Sequence, residues 1–138
     1  MGDKTQGEAI VAGMTLMGYD AMALGPLELG LGLETLRERI QQAGFPMVSA
    51  NAVLAGTGEP VAQPYVVLQA RDHRIGILGL TRVPDLPGEG ISVLDPVEAA
   101  DRYLPALTDE ADVVMVLANL RYDEAVEAAK KLPGIDLW

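Results

Sequence analysis

Apolar positions recur at helical spacing in some stretches of the chain and crowd into short, nearly unbroken runs in others. Over residues 7–18 (GEAIVAGMTLMG), Ile10, Val11, Met14 and Met17 keep a helical period and Gly18 offers a stop. YDAMALG then reads as a short buried strand. From Gly32, LETLRERIQQAG is amphipathic, with Leu33, Leu36 and Ile40 on one face and Gly44 as its expected terminator. FPMVSAN is the next strand. The first fifty residues thus spell helix, strand, helix, strand, which calls for a parallel sheet with helical crossovers.

The pattern changes after residue 54. Residues 55–64 (AGTGEPVAQP) are loop-like from their glycines and prolines, and YVVLQARDHRIGILGLT follows as two β-rich runs around the polar turn ARDHR. A hairpin therefore joins the sheet. RVPDLPGEG is a surface loop and ISVLD a short extended run. Pro96 suits a first helical position with Asp95 as its cap, and the helix VEAADRYLPALTDEA is expected to kink or break at Pro105. DVVMVLAN is the most continuous apolar run, hence a buried strand. RYDEAVEAAKKLPG is a last helix, and IDLW begins another strand. We expect one α/β domain over residues 1–138: a mainly parallel sheet with helical crossovers plus a β-hairpin.

Composition narrows the partners. Formal net charge is −10 and the pI about 4.4, so phosphate backbones and anionic lipid are repelled, and neither nucleic acid nor membrane is expected. No apolar run approaches the roughly 20 residues that span a bilayer. RERI and AKKL read as solvated helix faces. There is no cysteine, which removes disulfides, thiolate nucleophiles and thiolate metal sites. The chain holds a single histidine, His73, so chemistry needing two imidazoles from this chain is excluded. MGDKTQGEAIV lacks the basic-then-apolar order of a signal peptide, and the compartment stays open.

In order, GEAIVAGMTLMGYDAMALG, LELGLGLETLRERIQQAGFPMVSAN, PYVVLQARDHRIGILGLT, LDPVEAADRYLPALTDEADVVMVLANL and LPGIDLW resemble the calcineurin-like metallophosphoesterases, in their 5'-nucleotidase branch. The likeness covers residues 7–138. It implies part of an α/β/β/α sandwich and, for the family, hydrolysis of phosphate esters such as nucleotide monophosphates by two divalent metals (Mn, Zn, Mg or Co). It is also compatible with an extracytoplasmic location. After the strand DAMALG the resemblance implies Gly-Asn-His-Glu, with Asn a metal ligand and His assisting the leaving group. The chain has Gly25-Pro26-Leu27-Glu28. After DVVMVL it implies Ser-His-Leu-Gly, with His a ligand. The chain has Ala118-Asn119-Leu120-Arg121, where Asn119 offers an amide oxygen at most. Gly2-Asp3 superficially matches a Gly-Asp pair whose carboxylate bridges both metals, but the interval to Gly25 is short for the usual loop and helix. The opening Asp-x-His and closing Gly-His-x-His motifs are absent from the chain.

No catalytic, cofactor-binding or metal-binding residue is therefore assigned, and no cofactor is expected. The expectation is a domain that does not catalyse by itself. Under the alternative reading it is a metal-dependent phosphohydrolase whose missing ligands come from outside these residues, using Asn119 and Asp3. Leu27 and Leu29 suggest an apolar surface where a substrate would sit, and Glu28 reads as a solvated or capping carboxylate. Asn51 is expected to support loop geometry, as the resemblance implies, and His73 to be exposed in the hairpin turn. The glycines of GLGLE and GILGL lack the spacing of a phosphate loop and suggest tight helix–strand packing. TDEAD (108–112) reads as a solvated loop away from the site, and Glu127 with Lys131 as an i,i+4 pair. Met14, Met17, Met22, Met47 and Met115 read as core fillers. The chain starts near a helix and stops as a strand begins, which suggests a piece of a larger chain. Uncovered sheet edges then favour a homo-oligomer.

Overall fold

The computed structural model describes residues 7–86 and 88–138. Asp3 lies outside the described residues. Helix α1 (Glu8–Leu16) leads through Gly18, in the left-handed region at φ 73°, to strand β1 (Met22–Ala23). A one-turn helix α2 (Pro26–Leu29) and a longer α3 (Leu33–Gln42) cross over to β2 (Met47–Val48), which pairs with β1 in parallel. The expected helix, strand, helix, strand order holds, with strands of two residues each and with α2 where the sequence suggests only loop. Pro26 at the first helical position starts that turn.

Beyond β3 (Ala52–Leu54), the hairpin β4 (Tyr65–Ala70) and β5 (His73–Thr81) forms as expected, and β6 (Ile91–Val93) follows the Pro/Gly loop. His73 is exposed but opens β5 rather than sitting in the turn, which Arg71 makes at φ 55°. α4 (Pro96–Glu110) is capped by Asp95, whose side chain accepts from the Glu98 amide at 3.0 Å. β7 (Val113–Asn119) and α5 (Tyr122–Lys131) complete the order, and Leu137 bridges Met115 of β7 in parallel. β4–β5–β7 is one sheet, antiparallel then parallel, with Thr81 opposite Asn119. β3 and β6 pair antiparallel, a ribbon that no local pattern suggests.

Two clusters form the core. Leu78 and Leu80 of β5 with Val114 and Val116 of β7 pack against Ala100, Leu104 and Leu107 of α4. Val11, Leu24, Leu29, Leu36 and Phe45 pack beneath α1 and α3. β5 has glycine on both faces, as GILGL suggests. A methyl at Gly76 would overlap Leu107 and Ala111 of α4, and one at Gly79 would overlap the Val48 backbone.

Several local expectations give way to tertiary contacts. Gly44 does not stop α3: Ala43 already leaves the helix in extended conformation, and a methyl at Gly44 would strike Thr15, whose hydroxyl accepts the Gly44 amide at 3.1 Å. Gly32 serves α3 by its φ of 87°, with open space around it, rather than by close packing. Pro105 stands on the exposed face of α4, and the helix runs through it without a break. Thr108, Asp109 and Glu110 belong to that helix and not to a loop. Met17 is 68% exposed and Ile10 is exposed too, so only part of the apolar period of α1 reaches the core. Glu127 pairs with Lys130 at 2.9 Å instead of with Lys131. Arg39 of RERI is no solvated cation: its side chain is only 14% exposed.

At the start of β5 and β7, Asp112 accepts from the Arg74 amide at 2.7 Å and pairs with its guanidinium at 3.1 Å. These hydrogen bonds hold the Asp112 carboxyl below its ordinary range. The group has the lower pKa when folded, so its contribution is present at neutral pH and is lost as pH falls through that lowered range. Asp112→Asn is expected to lower the urea midpoint at about pH 7 and to leave it unchanged at about pH 2, measured by circular dichroism.

Candidate functional site

The carboxyl ends of β1, β5 and β7 converge on one rim, where open α/β sheets place their binding crevices. Three contacts tie the ends together. Thr81 donates its hydroxyl to the Leu24 carbonyl at 2.7 Å. The Arg82 amide donates to the Asn119 carbonyl at 2.8 Å. The Asn119 carboxamide lies so close over Gly25 that a methyl there would overlap it. Gly25 and Asn119, far apart in sequence, are neighbours at the rim.

Under this rim lies a buried polar cluster of Ser49, Asn51 and Thr81, each fully enclosed. Asn51 donates through Nδ2 to the carbonyls of Thr81 at 2.6 Å and Leu94 at 3.0 Å, and accepts at Oδ1 from the Thr81 amide at 2.8 Å. The Ser49 and Thr81 hydroxyls are 2.8 Å apart. Because the Thr81 proton goes to Leu24, Ser49 is the donor between them. Ser49 Oγ in turn accepts the Ala52 amide at 3.2 Å. Four segments meet in this cluster, and every side chain in it is satisfied. Asn51 supports the loops, as expected; Ser49 and Thr81, its partners, carry no motif that would single them out.

At the rim itself, ligand chemistry is sparse. Pro26 and Leu27 have no donor or acceptor in their side chains. Glu28 is the third residue of α2 and accepts the Gly25 amide at 2.8 Å, so it serves as a cap. Leu29 is fully buried in the core and Leu27 is 85% exposed, so the two do not form one apolar surface. Leu27 instead borders a cavity of about 450 Å3 under α1 and α3, lined by Ile10, Val11, Met14, Met22 and Leu36. Arg39 also borders it, with its Nε buried and unpartnered; its burial is the feature that the sequence pattern hides. His73 opens β5, eight residues before Thr81, about 26 Å from the rim at the usual rise of a strand. Among the described residues, no three His, Cys, Asp or Glu side chains gather where they could hold a metal ion.

The fold is similar to that of the calcineurin-like phosphoesterases. The calcineurin-like phosphoesterase YfkN from Bacillus subtilis superposes with a TM-score of 0.81 at 28% identity, covering 99% of this chain and 51% of that one. A 5'-nucleotidase precursor from Thermus thermophilus superposes at 0.79 with 31% identity, over 93% of this chain and 27% of that one. In sequence, the chain is 31% identical over 141 aligned residues to a 5'-nucleotidase of Vibrio cholerae, covering 96% of this chain and 25% of that protein. It is 30% identical to Protein UshA of Escherichia coli, over 96% of this chain and 26% of that protein. No family model matches the chain. The chain thus shares the fold of the calcineurin-like phosphoesterases, and the relatives it matches in sequence are 5'-nucleotidases. It spans about a quarter of the length of the curated relatives it matches.

Asn51→Ala would leave the Thr81 amide without its partner inside a fully buried cluster. A loss of about 2–4 kcal/mol is expected from the orphaned groups, measured as a lowered urea midpoint with unchanged slope.

Proposed function

We propose that this chain provides a metallophosphoesterase scaffold with no metal centre of its own and does not hydrolyse phosphate esters by itself. The observation that carries this reading is the rim at the end of β1. The side chains of Pro26 and Leu27 stand there without a coordinating or proton-transferring atom, and the carboxylate beside them, Glu28, is engaged by the Gly25 amide.

Members of the superfamily are metal-dependent phosphoesterases. Two adjacent dications polarise a phosphoryl group and supply hydroxide near neutral pH. Such a pair needs several imidazole, carboxylate or amide-oxygen donors aimed into one space. Among the described residues, the side-chain donors that lie against Gly25 are the Asn119 carboxamide and the engaged Glu28, and these two do not fit that requirement. The buried amide of Asn51 is fully used by backbone groups. What the residues can do is hold the crevice in shape.

A second reading keeps an active metal-dependent phosphohydrolase acting on nucleotide monophosphates or related esters, with the other ligands supplied from outside this chain. Asn119 favours it, because its carboxamide stands at the rim beside Gly25. Under that reading Asn119→Ala, made in the polypeptide that supplies those ligands, lowers Mn²⁺ affinity by about tenfold, read by isothermal titration. An unchanged affinity removes Asn119 from the site.

The first reading is tested on the chain alone with Mn²⁺, Zn²⁺, Co²⁺ or Mg²⁺ and a nucleotide monophosphate. The expected result is phosphate release no faster than with the metal ion alone. Robust turnover that a chelator abolishes overturns it.

A further inference from the structure

Residues 7–48, from α1 to β2, are tied to the rest of the chain by little that is directional. β1 and β2 make a sheet of their own, apart from the β3–β6 ribbon and the β4–β5–β7 sheet. Among the described residues, one side-chain hydrogen bond crosses this boundary, from the Thr81 hydroxyl to the Leu24 carbonyl at 2.7 Å. The other polar link is an isolated parallel bridge between Val48 and Gln63. The ion pairs among the described residues all lie on one side of the boundary or the other.

Apolar contact, which is non-directional, supplies the remainder. Val11, Leu24, Leu29, Leu36, Phe45 and Met47 share their buried cluster with Ala52 and Ile91. The other cluster, around Leu78, Leu104 and Val114, takes no member from residues 7–48. The interior of the segment is also incompletely filled. Every residue that borders the cavity of about 450 Å3 belongs to it, and the buried Arg39 Nε finds no partner. Voids and orphaned donors both lower the stability of the part that contains them.

We propose that residues 7–48 open as one unit while the β4–β5–β7 sheet and α4 stay folded, with the Thr81–Leu24 hydrogen bond as the latch. A segment of about 40 residues does not hold a core alone, so the opening is local unfolding. Gly25 leaves with the unit, and Asn119 stays behind at the end of β7. The rim needs both of them, so this equilibrium assembles it and takes it apart. The device works the same way whether or not the rim performs chemistry.

Native-state hydrogen exchange of the 138-residue chain at low urea, read by NMR, tests this. The Met22, Leu24 and Leu36 amides donate to the Pro46, Val48 and Gly32 carbonyls. They are expected to exchange through one shared opening, about tenfold or more faster than amides at the centres of β5 and β7. Val114→Ala, inside the other cluster, is expected to speed exchange in β5 and β7 by about tenfold and to leave those three amides unchanged. Thr81→Val removes the latch and is expected to speed the three amides by about tenfold, with Thr81→Ser close to the wild type. A single opening shared by all amides overturns the proposal, as does a Val114→Ala effect of equal size in both groups. So does exchange of the three amides that is indifferent to Thr81→Val. Should Thr81→Val not fold, the wild type and Val114→Ala decide.

Discussion

The arrangement of the whole rim rests on burying three polar side chains together. Ser49, Asn51 and Thr81 lose water completely, and that loss is tolerable only while each donor and acceptor meets its counterpart. Their partners lie on the ends of β1, β5 and β6 and on the link between β2 and β3. A shift of any one segment would leave a buried group unmatched, so the cluster fixes the segments relative to one another. Hydrophobic burial holds the layers together, but it is non-directional. The polar cluster supplies the direction.

That division of labour leaves the shape of the scaffold independent of the side chains at the end of β1. The side chains that shape the rim point inward, onto backbone carbonyls and amides, and none of them depends on what stands at positions 26 and 27. Pro26 even suits its place, because a one-turn helix begins there and a proline needs no amide partner at a first helical position. Glu28 then closes the turn by taking the Gly25 amide. The local structure at the end of β1 is therefore complete without an imidazole or a ligand amide.

Much of the fold is legible in the sequence where the signal is local. DVVMVLAN has the continuous apolar character of a buried strand, although Val113, Met115 and Leu117 on one face stay half-buried, and the hairpin and the Asp95–Pro96 helix start carry their own turn and cap chemistry. What the sequence hides depends on contacts between distant segments. Gly44 looks like a helix stop but is small because Thr15 lies against it, and Arg39 looks solvated but is enclosed beside the α1–α3 cavity. The β3–β6 ribbon has no local signature at all, its strands being three residues each. At the rim, sequence alone shows that the side chains of Pro26 and Leu27 carry no coordinating atom. It does not reveal that Thr81 locks β1 to β5, because a threonine at the end of an apolar strand is commonplace.

Gly79 has a consequence for how the interior accommodates change. Its bare α-carbon rests against the main chain of Val48, while its own carbonyl accepts the Ala50 amide at 2.7 Å. The gap between the two layers is gauged there by main chain on main chain, a quantity that side-chain exchange cannot alter. Core volumes elsewhere can drift considerably, and the spacing above which the rim is built keeps its calibration.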